Sequence, residues 1–277
     1  MASSSPISFE FFPPKTEEGR ERLLEKTTPR LQALQPEYFS VTYGAGGSTR
    51  DNTLDVVTAL TKGGYSVAPH LSFGTDDNDA ITALLDHYRD LGVKRVVALR
   101  GDMPSGVGGG RLVYASELVS FIRKHSGDHF HIEVAAYPEI HPQAESYDKD
   151  IEHLKHKLDA GADSAITQYF YNVESYFYFL DRCAAIGIDK PIVAGIMPIT
   201  NYENLARFSR NCGADIPRWI SKRLEGFAGC KESVTSFGIE VVTQLCQTLL
   251  DNGAPGIHFY SMNQVEPTRQ ICRNLGL

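Results

Sequence analysis

Short apolar runs and longer amphipathic stretches alternate from one end of this chain to the other. ISFEFF (7–12) predicts a strand that stops at Pro13-Pro14, and Thr16 before Glu17 and Glu18 predicts a capped helix reaching Leu34. YFSVTY (38–43) is rich in aromatic and β-branched residues and closes on a turn over 44–48. A helix over about 51–62 precedes the strand SVAPHL (66–71). Ile81, Leu84, Leu85, Tyr88 and Leu91 then recur at helical spacing and share one face.

The same order continues through RVVALR (95–100), a helix near 112–124, HIEVAAY (131–137), a helix over 147–160 and SAITQYF (164–170). A helix from Val173 to Ile186 leads to PIVAGI (191–196). Two helical stretches, near 201–211 and 233–251, precede GIHFY (256–260), and a last helix spans about 264–275. These make eight strands, which mostly lack strict alternation, as strands buried on both faces do. Units of about 30 residues in a chain of 277 predict one (β/α)8 TIM barrel, a single domain over 1–277, in preference to an open doubly wound sheet.

Composition narrows the function classes. The apolar fraction is 42% and the charged fraction 22%, which excludes a largely disordered chain. With 27 Lys and Arg against 34 Asp and Glu, the formal charge of -7 gives no support to nucleic-acid binding. No run of about 18 apolar residues exists to cross a membrane. Met1 to Pro6 lack the features of a secretion signal, and the five cysteines contain no CxxC pair. A cytoplasmic enzyme is the expectation.

Barrels carry their chemistry at the C-terminal strand ends, and this chain places Glu10, Thr42, His70, Arg100, Asp102, Tyr137, Glu139, His141, Gln168, His258 and Tyr260 there. Glu10, inside FEFF, reads in two ways. Apolar surroundings would raise its pKa and make it a general acid, or it pairs with a barrel arginine such as Arg100. Arg100 and Asp102 flank Gly101, either as a ligand-facing pair or as an internal salt bridge. SGVGGG (105–110) lacks the spacing of a phosphate loop and reads as a mobile loop. His70, His141 and His258 lack metal-ligand spacing, so no metal is expected. The aromatic run at 168–179 either packs a helix onto the barrel or offers rings to a heterocycle, and Phe208 stands open between a helix core and a ligand contact.

SFEFFPPKT (8–16), SVTYGAGGSTRD (40–51), APHL (68–71), VVALRGDMP (96–104), AAYPEIHP (135–142), KLDAGADSAITQYF (157–170), GIMPI (195–199) and HFYSMN (258–263) carry a family resemblance through almost the whole chain. The sequence resembles methylenetetrahydrofolate reductases of the short bacterial type. The resemblance implies an FAD-bearing barrel that reduces 5,10-methylenetetrahydrofolate to 5-methyltetrahydrofolate. Hydride would pass from NADH or NADPH, with NADH favoured, to the flavin and then to the folate in a ping-pong order.

By position, Glu10 matches the acid that protonates folate N5, and Asp102 the carboxylate that stabilises the cationic folate beside the flavin. Gln168 matches a contact to folate and nicotinamide, and Phe208 an aromatic stacking partner. Thr42, His70, Arg100, Gly101, Asp102, Tyr114, Tyr137, His141, Asp150 and Lys157 match the FAD-contacting set. One departure is MNQ after the eighth strand, which puts Gln264 where many members have a folate-facing arginine. Arg269 is a candidate substitute.

The resemblance further implies a homo-oligomer, and at 277 residues no regulatory domain that binds S-adenosylmethionine is expected. Rival readings keep the fold but take electrons from a partner protein, or replace the chemistry with a metal-dependent hydrolase or a non-catalytic folate-binding barrel.

Overall fold

A computed structural model of the chain describes residues 6–43, 47–73, 78–100 and 114–277, with backbone alone at 47–50. Eight parallel strands close into a barrel in sequence order, β8 pairing with β1. They are β1 (Ile7–Phe11), β2 (Tyr38–Val41), β3 (Val67–Leu71), β4 (Arg95–Ala98), β5 (His131–Ala136), β6 (Ser164–Thr167), β7 (Ile192–Ile196) and β8 (Ile257–Tyr260). The helices between them are α3 (Gly47–Lys62), α4 (Asn78–Asp90), α5 (Ala115–Ser126), α6 (Tyr147–Asp159) and α7 (Val173–Ala185). α8 (Tyr202–Cys212), α9 (Arg218–Gly226) and α10 (Lys231–Asp251) fill the stretch before β8, and α11 (Thr268–Asn274) follows it. The expected (β/α)8 barrel is therefore the fold.

The sequence also predicts one helix from Thr16 to Leu34, and the structure divides it. α1 (Glu17–Glu21) passes into a π-helical turn, Arg22–Thr27, and then into α2 (Thr28–Gln32). Pro29 has no N–H to offer and its ring would strike the carbonyl one turn back. The wider turn accommodates it: the Thr28 N–H and hydroxyl both reach Leu23 O, the hydroxyl at 2.8 Å. Helix α9 is absent from the pattern reading because only Ile220 and Leu224 are buried within it. The last helix begins at Thr268, later than periodicity suggests.

Two apolar layers follow from the two faces of each strand. Phe9, Phe11, Phe39 and Phe259 point outward beneath the helices, with ring centroids 4.9–6.0 Å apart. Each fully buried phenylalanine contributes roughly 1.5–3 kcal/mol. Inside the barrel a smaller layer of Tyr38, Ala68, Val97 and Ile166 remains, with Leu99 and Val193 packed against it, and many other inward positions are polar. Ser8, Glu10, Ser40, His70, Glu133, Ser164 and His258 are all buried. Among the described residues no helix is long and apolar enough to cross a membrane.

Candidate active site

Strand alternation decides what Glu10 meets. On β1, Ile7, Phe9 and Phe11 face the helices, so Ser8 and Glu10 face the barrel axis. The Glu10 carboxylate (Oε2) lies 3.3 Å from Nε2 of His70 on β3 and 3.9 Å from Nε2 of His258 on β8. Burial pushes this carboxyl up, but hydrogen bonding and charge from His258 and His70 outweigh it and hold the pKa down at about 2. The expectation of an apolar pocket that raises Glu10 is thus corrected, because its phenylalanine neighbours occupy the opposite face. Its pairing with Arg100 is corrected too: the described partners are the two histidines, and the Arg100 guanidinium donates to Gln143 Oε1.

A second group of side chains rims the same mouth. Tyr137 and His141 meet edge to face at 4.6 Å after β5. The Asp150 carboxylate accepts the His141 N–H at 2.7 Å, tying the loop to the first turn of α6. One helical face further along, Lys157 Nζ donates to Ala135 O at 2.5 Å. Burial lowers that ammonium to about 8, with Asp150 opposing the fall and Arg100 adding to it. Arg100 and Asp150 thus both lie near enough to act on the Lys157 charge.

The remaining predicted residues divide by position. Thr42 follows β2, half-buried, its carbonyl accepting the Thr53 hydroxyl at 2.9 Å. Tyr114 caps α5 and is 52% exposed, its N–H held by Glu117 at 2.8 Å. Gln168 follows β6, half-buried, and its side-chain oxygen accepts the Tyr169 N–H at 3.0 Å. A small open cleft lies beside it, lined by Tyr137, Glu139, Tyr169 and Cys212. Phe208, one helical turn before Cys212 on α8, is half-buried beneath the Arg207 guanidinium, 5.3 Å from its centroid.

Gln264 is exposed after β8, and Arg269 is engaged by Glu266. Gly101 and Asp102 lie outside the described residues, as do 44–46 and the 105–110 loop. The histidines considered for a metal do not converge: His70 and His258 flank Glu10, whereas His141 stands against Tyr137.

Pattern reading passed over the polar floor beneath Glu10. Tyr38, Arg95 and Glu133 meet inside the barrel, with the Tyr38 hydroxyl 2.6 Å and Arg95 2.5 Å from the Glu133 carboxylate. The signal was present in the sequence, since Glu133 is a lone charge within the apolar strand HIEVAA.

The chain compares closely with known proteins. A family model described as Methylenetetrahydrofolate reductase matches residues 2–276. The 5,10-methylenetetrahydrofolate reductase of Pectobacterium carotovorum is 40% identical over 272 residues, covering 98% of this chain and 90% of its own length. That of Escherichia coli is 39% identical over the same shares. An Arabidopsis thaliana relative, methylenetetrahydrofolate reductase (NADH) 1, is 40% identical over 98% of this chain and 48% of its own.

Among solved structures, a Clostridium thermocellum protein described as binding two copies of 5-methyl-5,6,7,8-tetrahydrofolic acid superposes with a TM-score of 0.69. Its identity is 19%, over 98% of this chain and 94% of that one, so the likeness is one of fold. With the conserved architecture and relatives of this similarity along nearly its whole length, the chain belongs to the methylenetetrahydrofolate reductase family.

Proposed function

We propose that the whole chain acts as one FAD-dependent catalytic unit that reduces 5,10-methylenetetrahydrofolate to 5-methyltetrahydrofolate, with NADH as the electron donor. The family supports the overall reduction, and the printed name of the plant relative favours NADH. The observation that carries the reading is a buried carboxylate between two imidazoles at the barrel mouth.

The residues present fit a flavin dinucleotide. Arg100 and Lys157 supply positive charge for a pyrophosphate, Asp150 is an acceptor for ribose hydroxyls, and Tyr137 and exposed Tyr114 offer rings. His70 Nε2 is buried at the same mouth, 3.3 Å from the Glu10 carboxylate. When bound, the flavin supplies a two-electron carrier that accepts hydride from nicotinamide and passes it to the folate.

Glu10 supplies the proton. In the open site the carboxyl is held low by its two histidine neighbours, which are the groups within reach to hand it a proton. Folate seated over the mouth excludes water and strengthens the burial that already pushes Glu10 upward. The proton then transfers to the carboxyl and from it to folate N5, opening the five-membered ring. Gln168, which lines the cleft, and Phe208 on α8 position the folate and nicotinamide, and exposed Gln264 is a neutral hydrogen-bonding contact in place of a cation. Asp102 is the proposed carboxylate that favours the positive charge left by ring opening.

An anaerobic visible spectrum tests the reading. The protein reconstituted with FAD should show a flavin spectrum that bleaches on addition of 5-methyltetrahydrofolate and also on addition of NADH. Failure to retain FAD, or a bound flavin unchanged by the folate, would overturn it.

A further inference from the structure

Helix α8 lies along the barrel mouth with little apolar surface to hold it there. It begins shortly after β7, passes the end of β6 and finishes at Gly213, which packs on Pro142 in the loop after β5. A helix of 11 residues is marginal by itself and depends on the face it buries. In α8 only Leu205 and Ser209 are buried, and one of those is a serine. Its polar contacts therefore carry much of its placement.

Two such contacts tie α8 to the barrel. Just past its end, the Glu139 carboxylate accepts the Asp215 N–H at 2.8 Å. Midway along it, Ser209 Oγ lies 3.0 Å from the Tyr169 hydroxyl, and both residues are buried. Cys212, a turn further on, places Sγ 3.5 Å from the same hydroxyl. Tyr169 is also tied to the residue before it, its backbone N–H donating to Gln168 Oε1 at 3.0 Å. The Tyr169 ring meets Tyr171 and Tyr260 edge to face at 5.9 and 6.4 Å, so packing fixes the ring and the hydroxyl is free to serve α8.

Tyr169 follows Gln168 in the chain, and Ser209 follows Phe208. We propose that Tyr169 is a positioning residue, a latch that holds Phe208 on α8 in register with Gln168 on the barrel. Without the hydroxyl, α8 samples displaced positions, and a ligand that needs both residues finds them together in only a fraction of the molecules. Apparent affinity then falls by that fraction, while the saturated rate is kept, because bound ligand restores the arrangement. Folate and nicotinamide, which share the pair, weaken together. The inference rests on the proposed roles of Gln168 and Phe208, but the hold of Tyr169 on α8 is measurable without them.

The test compares the full chain with Tyr169→Phe, Ser209→Ala and the double variant. Amide hydrogen exchange in 202–212 should quicken in each, with α7 and α10 unchanged. In FAD-loaded enzyme, the concentrations of 5-methyltetrahydrofolate and of NADH that half-saturate flavin bleaching should both rise about three- to tenfold in Tyr169→Phe, the scale of one neutral hydrogen bond. Limiting rates should stay within about twofold, and the double variant should be no weaker than Tyr169→Phe, since the two changes break one contact. Ser209→Ala carries the test if Tyr169→Phe does not fold. Unaltered exchange in α8, unaltered half-saturation for both ligands, or a double variant weakened by the full product of the single effects would overturn the proposal. A lowered thermal midpoint with both affinities intact would overturn it too, leaving the bond a purely structural one. If the folate fails to bleach the wild-type flavin, the proposed function is what fails, and exchange in α8 still decides the latch.

Discussion

Glu10 and Lys157 are two charges at the barrel mouth whose surroundings shift their titration. The Glu10→Gln variant keeps the shape and hydrogen-bonding reach of the carboxyl but has no proton to transfer. Its folate half-reaction is expected to fall by at least ~10²-fold, with the NADH half-reaction preserved, as read by stopped-flow absorbance of the flavin. Equal loss in both halves would assign Glu10 to flavin binding instead. Lys157 behaves oppositely in folding and in binding. Its ammonium drops from 10.5 to about 8 in the fold, so between those values the unfolded chain holds a proton that the folded chain has lost. Stability from this group therefore rises as pH increases from about 8 to 10.5. Anion binding needs the charged form, so FAD affinity should be flat below pH 8 and weaken above it. Fluorescence titrations on both sides of pH 8 check this, and Lys157→Met should remove the dependence. An affinity unchanged through that window in the wild type would separate Lys157 from the flavin.

Strands and turns decide where such residues end up. Gly195 on β7 illustrates a constraint that residue chemistry alone does not show. A Cβ there would come within 2.0 Å of Thr167 O and 2.8 Å of the Tyr260 ring. The Tyr260 hydroxyl donates to Thr167 O at 2.7 Å, and the Gly195 N–H to the Thr167 side chain at 2.9 Å. Gly195→Ala should displace Tyr260 and cost at least about 1–3 kcal/mol in a urea melt, whereas an unchanged midpoint would contradict this packing. Element type was legible from periodicity because helical faces and short β-branched runs report local preference. The π-helical turn was not, since it comes from a steric conflict around Pro29 within an otherwise helical segment. Helix α9 was not, since two buried side chains among charged ones leave little periodic signal. On β1 the alternation of Ser8 and Glu10 with Ile7, Phe9 and Phe11 is visible in the sequence, but the phenylalanines beside Glu10 in the chain face away from it in space.

At the scale of the whole molecule, closure is what makes the site. β8 pairs with both β7 and β1, and after it Asn263 clamps the end of β1, bonding the Phe12 N–H at 2.9 Å and its carbonyl at 2.8 Å. Removing residues 256–277 would expose the edges of β1 and β7 and take His258 from beside Glu10. Such a chain is expected to lose its cooperative thermal transition and bind a hydrophobic dye. A sharp transition retained by the truncated chain would show that the barrel does not depend on closure. The order of strands and helices, the barrel class, the polar residues at strand ends and the family motifs were all carried by the chain as written, because each depends on local periodicity or on residue identity. The partners of those residues were decided only in three dimensions. Glu10 meets histidines from β3 and β8, and Tyr38 meets Glu133 from β5, because parallel pairing and closure turn alternate positions toward one shared axis. No local pattern encodes which distant strands will face each other there.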